Sequence, residues 1–175
     1  MNNNAFRFRL LEEVRCQCRF ALYAYGQIHG HLQLNVPENV FFYTHAFVRH
    51  ATDLGKVLWP ANPTAAERGK MLCEATAAPE RAPADWAALG ATLDQFDAHL
   101  IAWYGNEAHH SAQPMNLMPV GPLVGFASDN FHRNLDPESM QFIFEGCSCN
   151  LRQIADVIRK IDTGAEHWLR HNNSW

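Results

Sequence analysis

The sequence predicts a mainly α-helical fold: an antiparallel helical bundle with a small C-terminal β-hairpin and a final helix. Three observations predict it. Apolar residues recur three and four positions apart over long stretches. The breaks between those stretches are short and marked by proline or glycine, which makes consecutive helices antiparallel neighbours. Only the region after residue 105 loses the helical period, first to a proline-rich loop and then to extended runs. With 175 residues, 47% of them apolar, the chain has material for one core. A single helical domain over 1–175 is expected, with loop 105–122 and hairpin-helix 123–172 as its appendage.

The first helix is read over 6–28. Leu10, Leu11, Val14, Cys18, Ala21 and either Ala24 or Tyr25 share its apolar face, Arg7, Glu12, Glu13, Arg15 and Arg19 lie between them, and Gly30 is its exit. Pro37 suits the first turn of a second helix, because proline there forfeits no needed donor. Val40, Phe41, Thr44, Phe47, Val48, Ala51, Leu54, Val57 and Leu58 form the apolar face of that helix, which ends at Trp59-Pro60. Thr64-Ala65-Ala66-Glu67 has the form of a capping box and opens a short third helix ending near Thr76. Pro83-Ala84-Asp85 opens a fourth, with Trp86, Leu89, Leu93, Phe96, Leu100, Ile101 and Tyr104 spaced for burial. Segments 123–131 and 140–144 read as strands of a hairpin, with a turn at Leu135-Asp136-Pro137-Glu138. Asn150-Leu151-Arg152-Gln153 then caps a last helix that carries Ile154, Val157, Ile158 and Ile161 and ends near Arg170.

Charge and composition exclude several function classes. The net charge of -4, from 14 basic and 18 acidic residues, predicts no broad electrostatic grip on nucleic acid or anionic lipid, although a local basic patch stays open. No apolar run approaches the roughly 20 residues of a membrane helix, and the first residues lack the apolar stretch of a signal peptide. A soluble, cytoplasmic protein without membrane contact is expected. The five cysteines, Cys16, Cys18, Cys73, Cys147 and Cys149, are odd in number and expected to be reduced. Two Cys-x-Cys pairs invite a thiolate zinc site, but structural zinc prefers a wider spacing on a turn, so small core residues are the expected reading.

Ten histidines make metal chemistry worth testing against spacing. A ferritin-type di-iron site needs Glu-x-x-His twice, and the sequence does not supply two. His167 and His171 are four apart near a chain end, while His29-Gly30-His31 and His109-His110 are placed in or beside loops; no metal is expected from any of them. His45 and His50, five apart on the second helix, point in different directions, so at most one faces the core. No Gly-x-Ser-x-Gly elbow or phosphate-cradling glycine loop occurs, and Cys73 has no assignable base. The fourth helix gathers the best acidic cluster, Asp94 and Asp97 on one face with His99 beyond them.

Several segments together carry a family resemblance. Leu54-Gly55-Lys56-Val57-Leu58-Trp59-Pro60, then Glu67-Arg68-Gly69-Lys70-Met71-Leu72 and the stretch 89–104, resemble bacterial proteins of the HEPN class, which are all-helical bundles. Phe131-His132-Arg133-Asn134-Leu135-Asp136, the strand at 140–144 with Glu145-Gly146, and 151–161 resemble the C-terminal part of the same subgroup. Active members carry an arginine followed after four to six residues by a histidine, and cleave RNA without metal, usually as a homodimer. A guanidinium can hold phosphate bidentately while an imidazole moves a proton. Here the resemblance puts Gly90 in the arginine slot and Gln95 in the histidine slot, with Asp94 replacing a glutamate and Asp97 matching directly. Neither Gly90 nor Gln95 can supply the missing chemistry.

The resemblance therefore implies a catalytically degenerate binding module, partnered by a second copy, another protein, RNA or a nucleotide, with no cofactor. A metal-independent ribonuclease using Arg49, His50, Asp97 and His99 is the first alternative. A metal-binding bundle is the second. Tryptophans at 59, 86, 103, 168 and 175, with many phenylalanines, are expected to leave an apolar surface patch that favours a dimer.

Overall fold

The computed structural model describes residues 3–107, 114–119 and 131–172. The described residues are mainly helical: α1 (Asn3–Gln33), α2 (Pro37–Leu58), α3 (Ala66–Thr76), α4 (Ala84–Asp94), α5 (Phe96–Tyr104) and α6 (Leu151–His171). A small sheet joins them, β1 (Asn116–Leu117), β2 (Arg133–Leu135), β3 (Gln141–Phe144) and β4 (Cys147–Asn150), in the order β1-β2-β3-β4. β1 runs parallel to β2, and the other neighbours are antiparallel.

α1 lies along both α2 and α6, and α3 closes against α6. The apolar faces expected from the sequence meet there: Leu11, Val14, Cys18, Ala21 and Ile28 of α1, Phe47, Leu54 and Leu58 of α2, and Ile158, Ile161 and Ala165 of α6 are buried in one cluster. The sheet joins the same cluster through Leu135, Phe142 and Phe144. α4 lies between α2 and β4. The Trp86 indole donates to the Ala51 carbonyl at 2.8 Å where it crosses α2. No helix among the described residues is long and apolar enough to cross a membrane.

Several local expectations are corrected. Gly30 does not end α1, which continues to Gln33; Asn35 takes the left-handed conformation (φ 53°) and stops it. The amides of Asn35 and Val36 donate to the carbonyls of Leu32 and His31, closing a Schellman turn with asparagine in the usual glycine place. His29 and His31 are consequently helical, and His31 stacks on Tyr43. The capping box does not form either. Asn62 accepts from the Thr64 amide and hydroxyl, and a short 3-10 turn, Pro63–Ala65, precedes α3.

The expected fourth helix is two helices. Gln95 leaves helical geometry (φ -115°, ψ 35°), which separates α4 from α5 and lets Phe96 stack on Phe144 at 6.1 Å. Asp94 and Asp97 therefore do not share a face. β3 pairs with β2 and with β4, a strand the sequence reading assigned to no element, while the expected strand at 123–131 lies almost wholly outside the described residues. The turn near Asp136 and the Asn150 cap are present: Asp136 Oδ1 accepts from the Glu138 amide, and the Asn150 side chain accepts from the Gln153 amide. None of the described tryptophans is exposed, although Phe6, Phe20 and Phe42 are. Trp86 and Trp103 are buried, Trp59 packs edge-on to Trp86, Trp168 lies under Arg7, and Trp175 falls outside the described residues.

Candidate functional site

A linked polar cluster lies where side chains of α2 and α5 meet the sheet. β2 begins at Arg133, opposite Phe144 of β3, so the backbone register fixes an arginine beside that ring; its guanidinium carbon stands 5.4 Å from the ring centroid. His132 immediately precedes β2 and is 1% exposed, boxed by Trp103, Tyr104 and Phe144. His45 comes from the middle of α2 and meets Phe142 and Phe144 edge-on.

The β3–β4 connection is a two-residue turn in which Glu145 (φ 49°) and Gly146 (φ 79°) are both left-handed, the geometry that matches the strands' twist. Glycine takes this conformation freely; a glutamate there is strained by roughly 1–2 kcal/mol. Its amide donates to the His132 carbonyl at 2.9 Å, and its carboxylate reaches the His132 ring at 3.1 Å, so one residue clamps the histidine twice. The second carboxylate oxygen, Oε2, is buried without a hydrogen-bond partner among the described residues, and His99 Nδ1 of α5 stands 3.7 Å from it.

Arg133 determines the protons of both imidazoles. A guanidinium has no lone pair to offer, so each nitrogen it meets must accept. Arg133 Nη1 meets His132 Nδ1 at 2.9 Å, and Arg133 Nε donates to His45 Nε2 at 2.9 Å. His132 therefore carries its hydrogen on Nε2, pointed at Glu145, and a neutral His45 carries its hydrogen on Nδ1. The Tyr104 hydroxyl also faces His132 Nδ1, at 3.2 Å. Burial, then the neighbouring Arg133 charge, pushes both histidines down to about 4. Burial likewise lowers Arg133 and raises the Glu145 carboxyl from their ordinary values.

On its solvent side Arg133 lines an open groove of about 530 Å³ with Glu38, Phe42, His45, Arg49, Phe96 and Met115. Phe42 is 67% exposed, and Phe96 and Met115 are also exposed. Arg49 is matched by carboxylates, Asp53 at 3.2 Å and Asp94 at 3.6 Å. Arg133 has two neutral imidazoles as partners and, among the described residues, no ion pair. The groove thus combines aromatic faces with a half-buried cation.

The residues expected from sequence are dispersed. His50 faces Gln17 at 2.9 Å and Phe20, away from the groove. Asp94 joins Lys56 at 2.8 Å as well as Arg49, and Asp97 is exposed in the first turn of α5. Gln95 occupies the break between helices, also exposed. Gly90 is buried at the α2–α4 crossing, where a Cβ would stand 3.1 Å from Thr52 Cγ2, so there is no open pocket at that slot. Only Arg49 and His99 border the cluster.

The paired cysteines are likewise apart: Cys16 is exposed on α1 while Cys18 is buried, and Cys147 and Cys149 lie on β4. Among the described residues no group of three or more His, Cys, Asp or Glu side chains is arranged to hold a metal ion. His167 and His171 face each other, exposed, at 4.1 Å between rings. Sequence reasoning missed Tyr104, His132, Arg133 and Glu145 as site residues. The available signal was His132-Arg133 leading into an apolar strand pair, consecutive polar side chains of which strand alternation turns one to each face. In comparisons with known proteins, the chain matches no family model, no curated protein and no solved structure.

Proposed function

We propose that this chain is a binding module of HEPN-like type that holds an anionic, ring-bearing ligand, a nucleotide or single-stranded RNA, in the groove between α2, α5 and β2. One observation carries the reading: the Arg133 guanidinium is half-buried, held by two neutral imidazoles, and in no direct ion pair with a carboxylate among the described residues, the Glu145 charge acting on it only from the far side of His132. A cation partly withdrawn from water without a directly bonded anion is costly, and a phosphate supplies one. Exposed Phe42 and Phe96 supply faces on which a base can stack, and Glu38 supplies an acceptor for sugar hydroxyls or base amines. The vacant arginine and histidine slots of the resemblance argue against cleavage by the arginine–histidine route of the active members.

Titration of the full chain with mononucleotides and a short single-stranded RNA tests this. Micromolar to millimolar binding is expected, weaker at higher salt, at least about tenfold weaker in Arg133→Gln and severalfold weaker in Phe42→Ala. Absence of binding, or binding indifferent to Arg133, overturns it. Self-association belongs to the same reading, supported by exposed Phe20, Tyr23 and Ile101; sedimentation across a concentration series that stays monomeric removes that part.

A further inference from the structure

Tyr104, the last residue of α5, ends a chain of three groups. Its oxygen is 3.2 Å from His132 Nδ1, and His132 Nε2 is 3.1 Å from Glu145 Oε1. Because Arg133 obliges Nδ1 to accept, the phenol donates to that nitrogen and the imidazole donates to the carboxylate. A hydroxyl facing an imidazole acceptor, with the far ring nitrogen fixed by a carboxylate, is the arrangement that activates weak nucleophiles.

Two features distinguish this chain from an ordinary buried hydrogen bond. Tyr104 is 43% exposed, whereas the side chains of His132 and Glu145 are 2% exposed, so of the three groups only the tyrosine is open to solvent. Glu145 also keeps in one place a left-handed backbone and a buried carboxylate oxygen that, among the described residues, accepts no hydrogen bond, with His99 3.7 Å away. Strain and an unsatisfied buried acceptor held together in this way mark sites of function more often than of packing.

The geometry points to Tyr104 as a nucleophile toward a phosphoester whose phosphate rests on Arg133, an inference that rests on the anion site proposed above. In the free protein the phenol and Arg133 Nη1 share the single lone pair of His132 Nδ1. A phosphate gives the guanidinium a stronger acceptor and leaves that lone pair to Tyr104. The phenolic oxygen then bonds to phosphorus and its proton passes to Nδ1. The new imidazolium is held by Glu145. The bond from phosphorus to the leaving oxygen breaks, and that oxygen departs with the electron pair. No oxidant, reductant or metal enters the balance.

The test uses bis(4-nitrophenyl) phosphate, whose 4-nitrophenolate leaves without needing a proton. The expected result is a burst of nitrophenolate stoichiometric with protein, and a nitrophenyl phosphate adduct found by peptide mass on Tyr104. Tyr23, more exposed at 65%, stays unlabelled. Tyr104→Phe gives neither burst nor adduct. Glu145→Gln, which keeps the acceptor but removes the charge, slows the burst by about tenfold or more with an unchanged melting temperature. Release that survives Tyr104→Phe, or labelling of Tyr23 equal to that of Tyr104, overturns the inference. A chain that binds nucleotide but forms no adduct overturns this inference alone, whereas one that does neither overturns the anion site as well.

Discussion

Gly164 of α6 and Thr76 at the end of α3 meet backbone to backbone: a Cβ added to Gly164 would stand 2.2 Å from the Thr76 carbonyl oxygen. Neither atom belongs to a flexible side chain, so the helices would have to separate. Gly164→Ala should destabilise by about 1–3 kcal/mol even though alanine is the better helix former. Gly26, in the exposed middle of α1 with nothing near its Cβ position, is the matched control. Gly26→Ala should stabilise by about 0.5–1 kcal/mol. Denaturant melts of both variants check the pair; equal signs would refute the close approach.

Restoring the cation that the family resemblance lacks should fail. Gly90 is buried against Thr52, whose hydroxyl has no hydrogen-bond partner among the described residues. Gly90→Arg would force a charge into the α2–α4 crossing and cost about 3 kcal/mol or more. A melting temperature equal to wild type, or new cleavage of RNA, would show that an open pocket exists at that position.

Acid should weaken the fold within a defined window. His45 and His132 start from an ordinary value of 6.5 and are pushed down to about 4, by burial first and the Arg133 charge second. Between those limits the unfolded chain binds protons that the native chain refuses, so stability rises with pH from 4 to 6.5 and levels off above. For the fully buried His132 the window is worth on the order of 3 kcal/mol. Glu145 opposes this, because burial raises its carboxyl and the native state then favours its proton. Denaturation midpoints from pH 8 to 4 should fall steeply below 6.5, and less steeply in His45→Gln. A flat profile would contradict the arrangement.

Thiol labelling should follow burial. Cys16 is exposed on α1. Burial, reinforced by Asp162, pushes the Cys18 thiol far up, and burial pushes Cys149 up to about 12. Iodoacetamide followed by peptide mass should modify Cys16 first, and Cys18 and Cys149 only on unfolding. Early modification of Cys18 would place it outside the core.

Much of the helical frame was legible in the sequence, because burial follows a period that residues announce locally. The apolar faces of α1, α2 and α6 and the Asn150 cap are of this kind. The end of α1 was misplaced because Gly30 offers conformational freedom without obligation, while Asn35 supplies the hydrogen-bonded stop. The break at Gln95 was invisible for another reason: no residue there forbids a helix, and the turn is accompanied by the stacking of Phe96 on Phe144, nearly fifty positions away.

The amino-acid order by itself determined that this protein is mainly helical, which faces its helices bury, and that the arginine–histidine pair of the resemblance is missing. Only the tertiary structure decided that His45, Tyr104, His132, Arg133 and Glu145 converge while His50, Asp94 and Asp97 disperse. The physical reason is range. Helical periodicity is set by neighbours within a turn or two, whereas a polar cluster depends on strand register, a left-handed turn and a helix break that act across 88 positions between His45 and Arg133.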